Sequence, residues 1–490
     1  MAKAVRTVPM GYGPPMEIGE LPAPPPFNFR NFIRMIGVSA ILISISIGSG
    51  EWLLGPRSVI QYGPALLWIA TVATVLQTVF NLECQRYTLA TGESIIPGLM
   101  RLWPGRWVWG PVWALICLLS VSPGWAASSA TALAALHLGR LPTDADRGLV
   151  LIYGILAMLL VMLVMAFGSR VERTLTRVST FAVAFIFTSL VILDLWLVPL
   201  EWWGRVAAGF FQFGYLPSGS GGGVDWTLIG GFAAYAATGG VLNMAASNWM
   251  RDRGWGMGSQ VGYIPALVGG RKVEVSPTGK IFDLTAESLA RFREWLRYSR
   301  WEQWTLYCGG CLLGMYLCVL LAVGLIEPGT PLKGNYDVAA IQAHAVSQVI
   351  GGLGWVWVLL IGFWVLWGTQ ISATDAVVRH LTDTLWSAGL GRWTRNDIRV
   401  VYYIIMAVIT VWLAFLFAYN PLTLVLLVAN MAGVAFVIGG LTLLWLNTRV
   451  LPPELRPGWP SRLGLALLSA FYAFFVYQTG QQVLRQLFGG

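Results

Sequence analysis

Ile47-Gly48-Ser49-Gly50-Glu51-Trp52 lies inside an apolar run, residues 36–54, that otherwise reads as a membrane-spanning helix. Two glycines and a serine weaken a helix at that point. An unpaired carboxylate in hydrocarbon costs on the order of several kcal/mol. Helical backbone comes undone at membrane depth only where it is buried in protein or lines a wet cavity. The stretch therefore predicts a broken helix that binds a solute, with Glu51 as its charged group. The plain alternative is a loop between two shorter helices.

The surrounding chain supports a membrane setting. Its 490 residues are 56% hydrophobic and 11% charged, whereas a soluble domain carries about 25% charged residues. Apolar segments fall at 33–54, 63–91, 107–137, 148–167, 176–198, 226–249, 303–326, 352–384, 398–419, 421–447 and 463–486. Each is long enough to span a bilayer, so the fold class is an all-α polytopic membrane protein with eleven helices. With the N-terminus in the cytoplasm, 26 of the 32 Lys and Arg residues fall in alternate loops on that side. That bias predicts a multi-pass protein of the inner (plasma) membrane with its C-terminus outside. It also accounts for the net charge of +9 without nucleic acid. Cys84, Cys117, Cys308, Cys311 and Cys318 all lie in or near apolar runs and read as packing residues. No nucleophile–base pair, nucleotide loop or metal-ligand cluster stands out, so neither enzyme activity nor a resident cofactor is expected. The expected partners are the lipid bilayer and a small ion or solute, with the chain acting as a monomer.

Residues 1–30 are rich in proline and read as a flexible cytoplasmic tail. Residues 250–302 are the one long insertion. Within it, 272–282 alternates and turns like a small hairpin. Thr285 to Trp304 reads as a basic amphipathic helix, with Leu289, Phe292, Trp295 and Leu296 on one face, lying on the inner membrane surface.

Segment six repeats the opening anomaly. Thr238-Gly239-Gly240 interrupts it near the centre, and Asn243 follows. Two glycine-interrupted segments five apart are the signature of an inverted repeat with a solute site between the breaks. The first repeat then spans 31–200 and the second 226–447, with helix eleven at 460–490. Unwound backbone frees carbonyls for a cation, and Glu51 biases the site toward one. Hard carboxylate oxygens suit Mg²⁺, Mn²⁺ or Ca²⁺. A buried carboxylate is equally suited to carrying a proton. Small-residue helix packing is the competing explanation for the glycines.

These residues resemble the Nramp (natural resistance-associated macrophage protein) family over most of 33–486. Gly48-Ser49-Gly50-Glu51 stands where the family has Asp-Pro-Gly-Asn in helix one. Tyr62-Gly63 through Trp68 and Ala90-Thr91-Gly92-Glu93 resemble helix two and its end. Gly368-Thr369-Gln370-Ile371-Ser372-Ala373-Thr374-Asp375 resembles the polar stretch of helix eight, and Asn430 falls near a helix-ten glutamine. The resemblance implies a LeuT-type 5+5 fold with an eleventh helix, helices one and six broken, and alternating access. For typical members it implies proton-coupled uptake of Mn²⁺ or Fe²⁺. Two departures remove that selectivity. The carboxylate has moved three residues along helix one, and the helix-six Met-Pro-His motif is absent, with Gly240 and Val241 near its place. The expected cargo is thus a divalent cation such as Mg²⁺ or Mn²⁺, held by Glu51 with oxygens around Gly48, Ser49, Thr238 and Gly239, and with Asn243 and Asn430 as polar neighbours. A small organic or anionic solute, with Glu51 as proton or salt-bridge site, is the alternative. A membrane sensor or enzyme is a remote third.

Other polar groups have two readings each. Gln370, Thr374 and Asp375 join the pathway if segment eight faces the bundle core; otherwise Asp375 pairs with Arg379 four residues on. Arg57 either pairs with Glu51 or reaches toward the outer interface. Glu83 and Arg86 read as a pair, and Glu93 as closing the same end of segment two.

Overall fold

The computed structural model describes residues 6–217, 223–330, 337–389, 393–417 and 420–488. Ten of its helical stretches are long and apolar enough to cross a membrane. The first runs through α2 (Val38–Ser46), a π-helical segment (Ile47–Leu54) and α3 (Gly55–Tyr62), after a short α1 (Phe29–Met35). Then follow α4 (Trp68–Thr91), the short α5 (Ile95–Leu99), and α6 (Arg106–Leu119) with α7 (Gly124–Leu138) as one passage. Next come α8 (Arg147–Ala166), α9 (Val171–Leu197) and the short α10 (Leu200–Gly209). The segment-six passage is split into α11 (Trp226–Tyr235) and α12 (Val241–Arg253), each too short to span alone. Together with the ten longer stretches it gives eleven passages among the described residues.

The second half continues with α13 (Ala286–Trp301), a π segment (Glu302–Cys308) and α14 (Gly309–Leu325), which form one 40-residue helical run. At 1.5 Å per residue that run is about 60 Å long, twice the hydrocarbon thickness. Its first half therefore stands outside the bilayer. The chain ends with α15 (Asp337–Ile350), α16 (Gly352–Ser387), α17 (Ile398–Leu416), α18 (Pro421–Arg449) and α19 (Trp459–Phe488).

Residues 6–30 are docked, which corrects the flexible-tail expectation. β1 (Thr7–Val8) pairs antiparallel with β2 (Met16–Gly19), and β2 pairs parallel with β3 (Lys280–Phe282) from the long insertion. The strand at 280–282 takes its partner from the N-terminal segment, so the hairpin expected over 272–282 does not form. Lys280 pairs with Glu17 at 2.8 Å across that register. Arg101 fastens the same segment, donating to the carbonyls of Met10 and Pro14 while pairing with Glu93 at 2.7 Å. Burial opposes the Arg101 charge, and the Glu93 carboxylate outweighs it and holds the guanidinium above its ordinary range.

The amphipathic helix is present as α13, capped by Thr285. Its apolar face meets protein, a second correction. Trp295 donates to the carbonyl of Pro22, and the Tyr298 hydroxyl lies 3.0 Å from the Pro26 carbonyl oxygen. Phe27 stacks edge-on to Tyr298 at 4.9 Å. Proline-rich backbone has carbonyls without matching N–H donors, so the Trp and Tyr donors satisfy the tail and bury its apolar side together. The face carrying this assembly is the N-terminal face of the bundle.

Candidate functional site

Helix one is wound, not broken, through the opening motif. Residues Ile47–Leu54 form a π-helix, with the Gly55 N–H reaching back to the Gly50 carbonyl. This corrects the expectation of an unwound stretch there. The glycines are used for close approach instead. Gly50 lies against the carbonyl of Tyr235, and Gly48 against the side chain of Thr369 on α16. The switch from α to π winding disturbs the normal pairing of nearby carbonyls. The Thr369 hydroxyl sits 3.0 Å from the Ser44 carbonyl and 3.2 Å from that of Ile45, and the Thr238 hydroxyl donates to Leu42 at 3.1 Å. Two threonines from other helices thus brace the turn before the π segment. The side chain of Ser49 lies outside the described residues.

Glu51 is fully buried. Its Oε1 accepts a hydrogen bond from Ser46, and its Oε2 has no partner. That oxygen faces Gly314 of α14, where a side chain would collide with it, beside the ring of Phe187 from α9. Cys311 and Cys318, one turn to either side on α14, lie within electrostatic reach of the carboxylate. Among the described residues no arginine bonds the Glu51 carboxylate, so of the two readings of Arg57 the pairing with Glu51 is not the one made. An ionised carboxylate with one donor and no counter-charge is costly in such a place. The socket asks for a proton or a cation.

Helix six is broken where the sequence placed the break. α11 stops at Tyr235, and Gly239 and Gly240 adopt φ of 105° and 57°, which only glycine takes up readily. Several of the freed backbone groups are engaged. Gly239 N–H donates to Asn243 Oδ1 at 2.7 Å, and the Thr74 hydroxyl donates to the Ala236 carbonyl at 3.3 Å. Asn243 Nδ2 donates to Asn81 at 2.9 Å and to the Tyr307 hydroxyl at 3.0 Å, and that hydroxyl donates to Gln77 at 3.3 Å. Asn81 continues to Gln303 at 3.0 Å. Thr238, Gly239 and Asn243 therefore join a buried, hydrogen-bonded cluster shared by α4, helix seven and the break. Tyr307, in the π segment Glu302–Cys308, and Cys311, four residues on in α14, link that cluster to the Glu51 socket.

The remaining expected residues lie elsewhere. Asn430 bonds the Thr227 carbonyl and the Thr479 hydroxyl. Thr227 is nine residues before Ala236, about 13 Å along a helix, so Asn430 packs α11, α18 and α19 and is not a neighbour of the break. Gln370 accepts from the Ala126 N–H at 3.0 Å and donates to Thr374. It satisfies an orphan donor in the first turn of α7, after a break in helix three at Ser120–Pro123 that Ser122-Pro123-Gly124 marks in the sequence. Asp375 pairs with Arg379 at 2.6 Å and accepts from Trp249 and Tyr402. Arg379 also pairs with Asp252, Arg251 with Asp252 at 2.9 Å, and Arg251 with Asp383 at 2.6 Å. This buried ion-pair chain ties α12 to α16 at the N-terminal face. The loop residues Val275 to Gly279 lie beside Arg251 and Asp383 there. Glu83 pairs with Arg86, as expected.

Ser46, Gln77, Asn81, Tyr307 and Gly314 also build the site, although no motif marks them. Their signals are spacings: Ser46 precedes Glu51 by five, one π turn, and Gln77–Asn81 and Tyr307–Cys311 are four apart. Among the described residues no group of three or more His, Cys, Asp or Glu side chains is placed to hold a metal ion.

No known protein family profile matches the chain, and no curated protein matches it in sequence. Solved structures do match it in fold. The manganese transporter of Eremococcus coleocola aligns with a TM-score of 0.64 at 13% identity, covering 95% of this chain and 90% of that one. Mhp1, a transporter of the nucleobase-cation-symport-1 family in a closed conformation, aligns with a TM-score of 0.51 at 13% identity, covering 92% of each chain. At such identities the likeness speaks for architecture alone. This chain is an all-α polytopic membrane protein with the LeuT-type fold of those transporters.

Proposed function

We propose that this protein is a secondary active transporter working by alternating access, with Glu51 as the group that answers to the driving cation. The observation that carries the reading is the Glu51 carboxylate, fully buried with Oε2 unpartnered, on the π segment that touches the helix-six break. The two helices meet at Gly50 and Tyr235, so charge at Glu51 acts on the contact any rocking motion must change. The fold shared with two transporters supports the same reading. With the N-terminal face in the cytoplasm of an inner membrane, the Arg251–Asp383 and Arg379–Asp252 pairs close the inner exit.

For the cargo, the first reading is a small, hard divalent cation, Mg²⁺ or Mn²⁺, using one carboxylate and retained water in the manner common for Mg²⁺. The second reading is a small organic solute, with Glu51 carrying a proton. The engagement of Thr238 and Asn243 in protein hydrogen bonds favours it. Calorimetry on purified protein with Mn²⁺ and with Mg²⁺ decides between them. Heat that disappears in Glu51→Gln supports the metal; no heat with either ion up to millimolar concentration rules the metal out. Liposomes holding a pH dye test coupling. Internal acidification during uptake that is lost in Glu51→Gln is the expected result, and uptake without acidification overturns the proton role.

A further inference from the structure

A second carboxylate lies in the bundle without a partner. Asp194, on α9, is fully buried, and neither of its carboxylate oxygens has a hydrogen-bond partner. Its position relative to Glu51 follows from helix packing. The ring of Phe187 lies 3.3 Å from the point a Gly314 side chain would occupy, and Val198 packs 2.7 Å from the corresponding point at Gly324. α9 and α14 therefore run side by side in the same direction. Asp194 is seven residues beyond Phe187, about 10 Å further along the axis. Cys318 is four residues beyond Gly314, about 6 Å along. Glu51 faces Gly314, so Cys318 stands between the two acids, and it is within electrostatic reach of both.

The titratable groups facing Asp194 among the described residues are Tyr316 and Cys318 of α14 and, past Cys318, Glu51. The Tyr316 hydroxyl is turned to the Trp203 carbonyl. The Glu201–Arg205 pair on neighbouring α10 is exposed. α16 presents the Trp357 indole, which donates to Ser189 and carries no charge. Among the described residues no cation approaches Asp194, and the two carboxylates are too far apart to converge on one ion. A metal needs several ligands; a proton needs one.

We propose that Asp194 is a second proton-binding carboxylate, in series with Glu51 along α14, with Cys318 between them. Once Glu51 has given up its proton, an O–H bond breaks at Asp194 as the Cys318 sulfur takes that proton, and the Cys318 S–H bond breaks as an O–H bond forms at Glu51. The negative charge moves from Glu51 to Asp194, and Cys318 ends as a thiol again. This deepens the transporter reading and rests on it for its purpose, but its test does not need transport. Infrared spectroscopy of the purified full-length protein at neutral pH reads protonated carboxyl groups directly. The expected result is a carboxylic-acid band that shifts in heavy water and loses one component in Asp194→Asn and another in Glu51→Gln. Glu201→Gln, on the exposed face of α10, leaves it unchanged. A band identical in wild type and Asp194→Asn means that Asp194 is ionised and overturns the proposal. If the asparagine variant does not fold, Asp194→Ser serves for the same comparison. A lost component together with no Mn²⁺ or Mg²⁺ uptake in liposomes retains the proton site and rejects the divalent-cation reading; uptake without a lost component rejects the site alone.

Discussion

Gly50 lies against the carbonyl oxygen of Tyr235, so close that a β-carbon on Gly50 would fall inside that oxygen's contact radius. Helix one meets the end of α11 at this point, one residue from Glu51. The contact is backbone on both sides, so no rotamer change relieves a larger residue.

Gly50→Ala is expected to destabilise the fold by about 1–3 kcal/mol or more, the cost of overpacking a tight core. Gly309, at the start of α14, has open space where a side chain would go. Gly309→Ala is expected to be neutral or to stabilise by up to about 1 kcal/mol, through helix propensity. Thermal unfolding of both variants in detergent measures the contrast. Equal melting temperatures would mean that the two helices do not touch at Gly50.

Asn243 holds the helix-six break by accepting from Gly239 and donating to Asn81 and Tyr307. Asn243→Ala leaves buried polar groups short of partners, at about 1–3 kcal/mol. Tyr307→Phe, which keeps the ring and removes one hydroxyl, is expected to cost less. Hydrogen exchange at the amides of Gly239 and Leu242 should rise in Asn243→Ala. Unchanged exchange would show that backbone geometry alone holds the break.

Arg379 and Asp252 are both fully buried and paired, and Arg379 also binds Asp375. Removing one member of a buried pair costs about 3–5 kcal/mol because the survivor stays charged and desolvated. Asp252→Asn and Arg379→Met singly are expected to lose that much. The double variant should recover part of the loss. Strict additivity in the double-mutant cycle would mean the two groups do not interact.

The N-terminal segment holds β3 through its pairing with β2 and the Glu17–Lys280 contact. Deleting residues 1–26 is expected to speed trypsin cleavage after Lys280 several-fold, with the helical content retained. Cleavage at the wild-type rate would argue that the insertion orders itself without the strap.

How far the chain was legible can be read residue by residue. The two glycine-bearing segments were found because a helix breaker in an apolar run has few meanings in a membrane. Their backbone outcomes differ for a reason that sequence does not carry. At Gly239 and Gly240 the φ values are positive and the chain must leave the helix. At Gly48 and Gly50 the glycines serve contacts with Thr369 and Tyr235, and the helix continues with wider winding. Asn430 was assigned by its position in a motif, yet its side chain turns to Thr227 and Thr479. Gln370, a pathway candidate by its polarity, caps α7. Asp194, in an otherwise apolar run, gave no spacing signal at all.

The sequence by itself determined that this is a bundle of eleven passages, that the sixth is interrupted at Thr238–Gly240, and that Glu51 sits at the depth of that interruption. Length, hydropathy and glycine placement act locally along the chain, and they are sufficient for that. Only the tertiary structure decided what surrounds each polar group. Whether a buried carboxylate is paired, as Asp252 on α12 is with Arg379 on α16, or left with a bare oxygen, as Glu51 and Asp194 are, depends on helices far apart in sequence. The cost of burying charge is set by those neighbours, and so is the chemistry that Glu51 and Asp194 can perform.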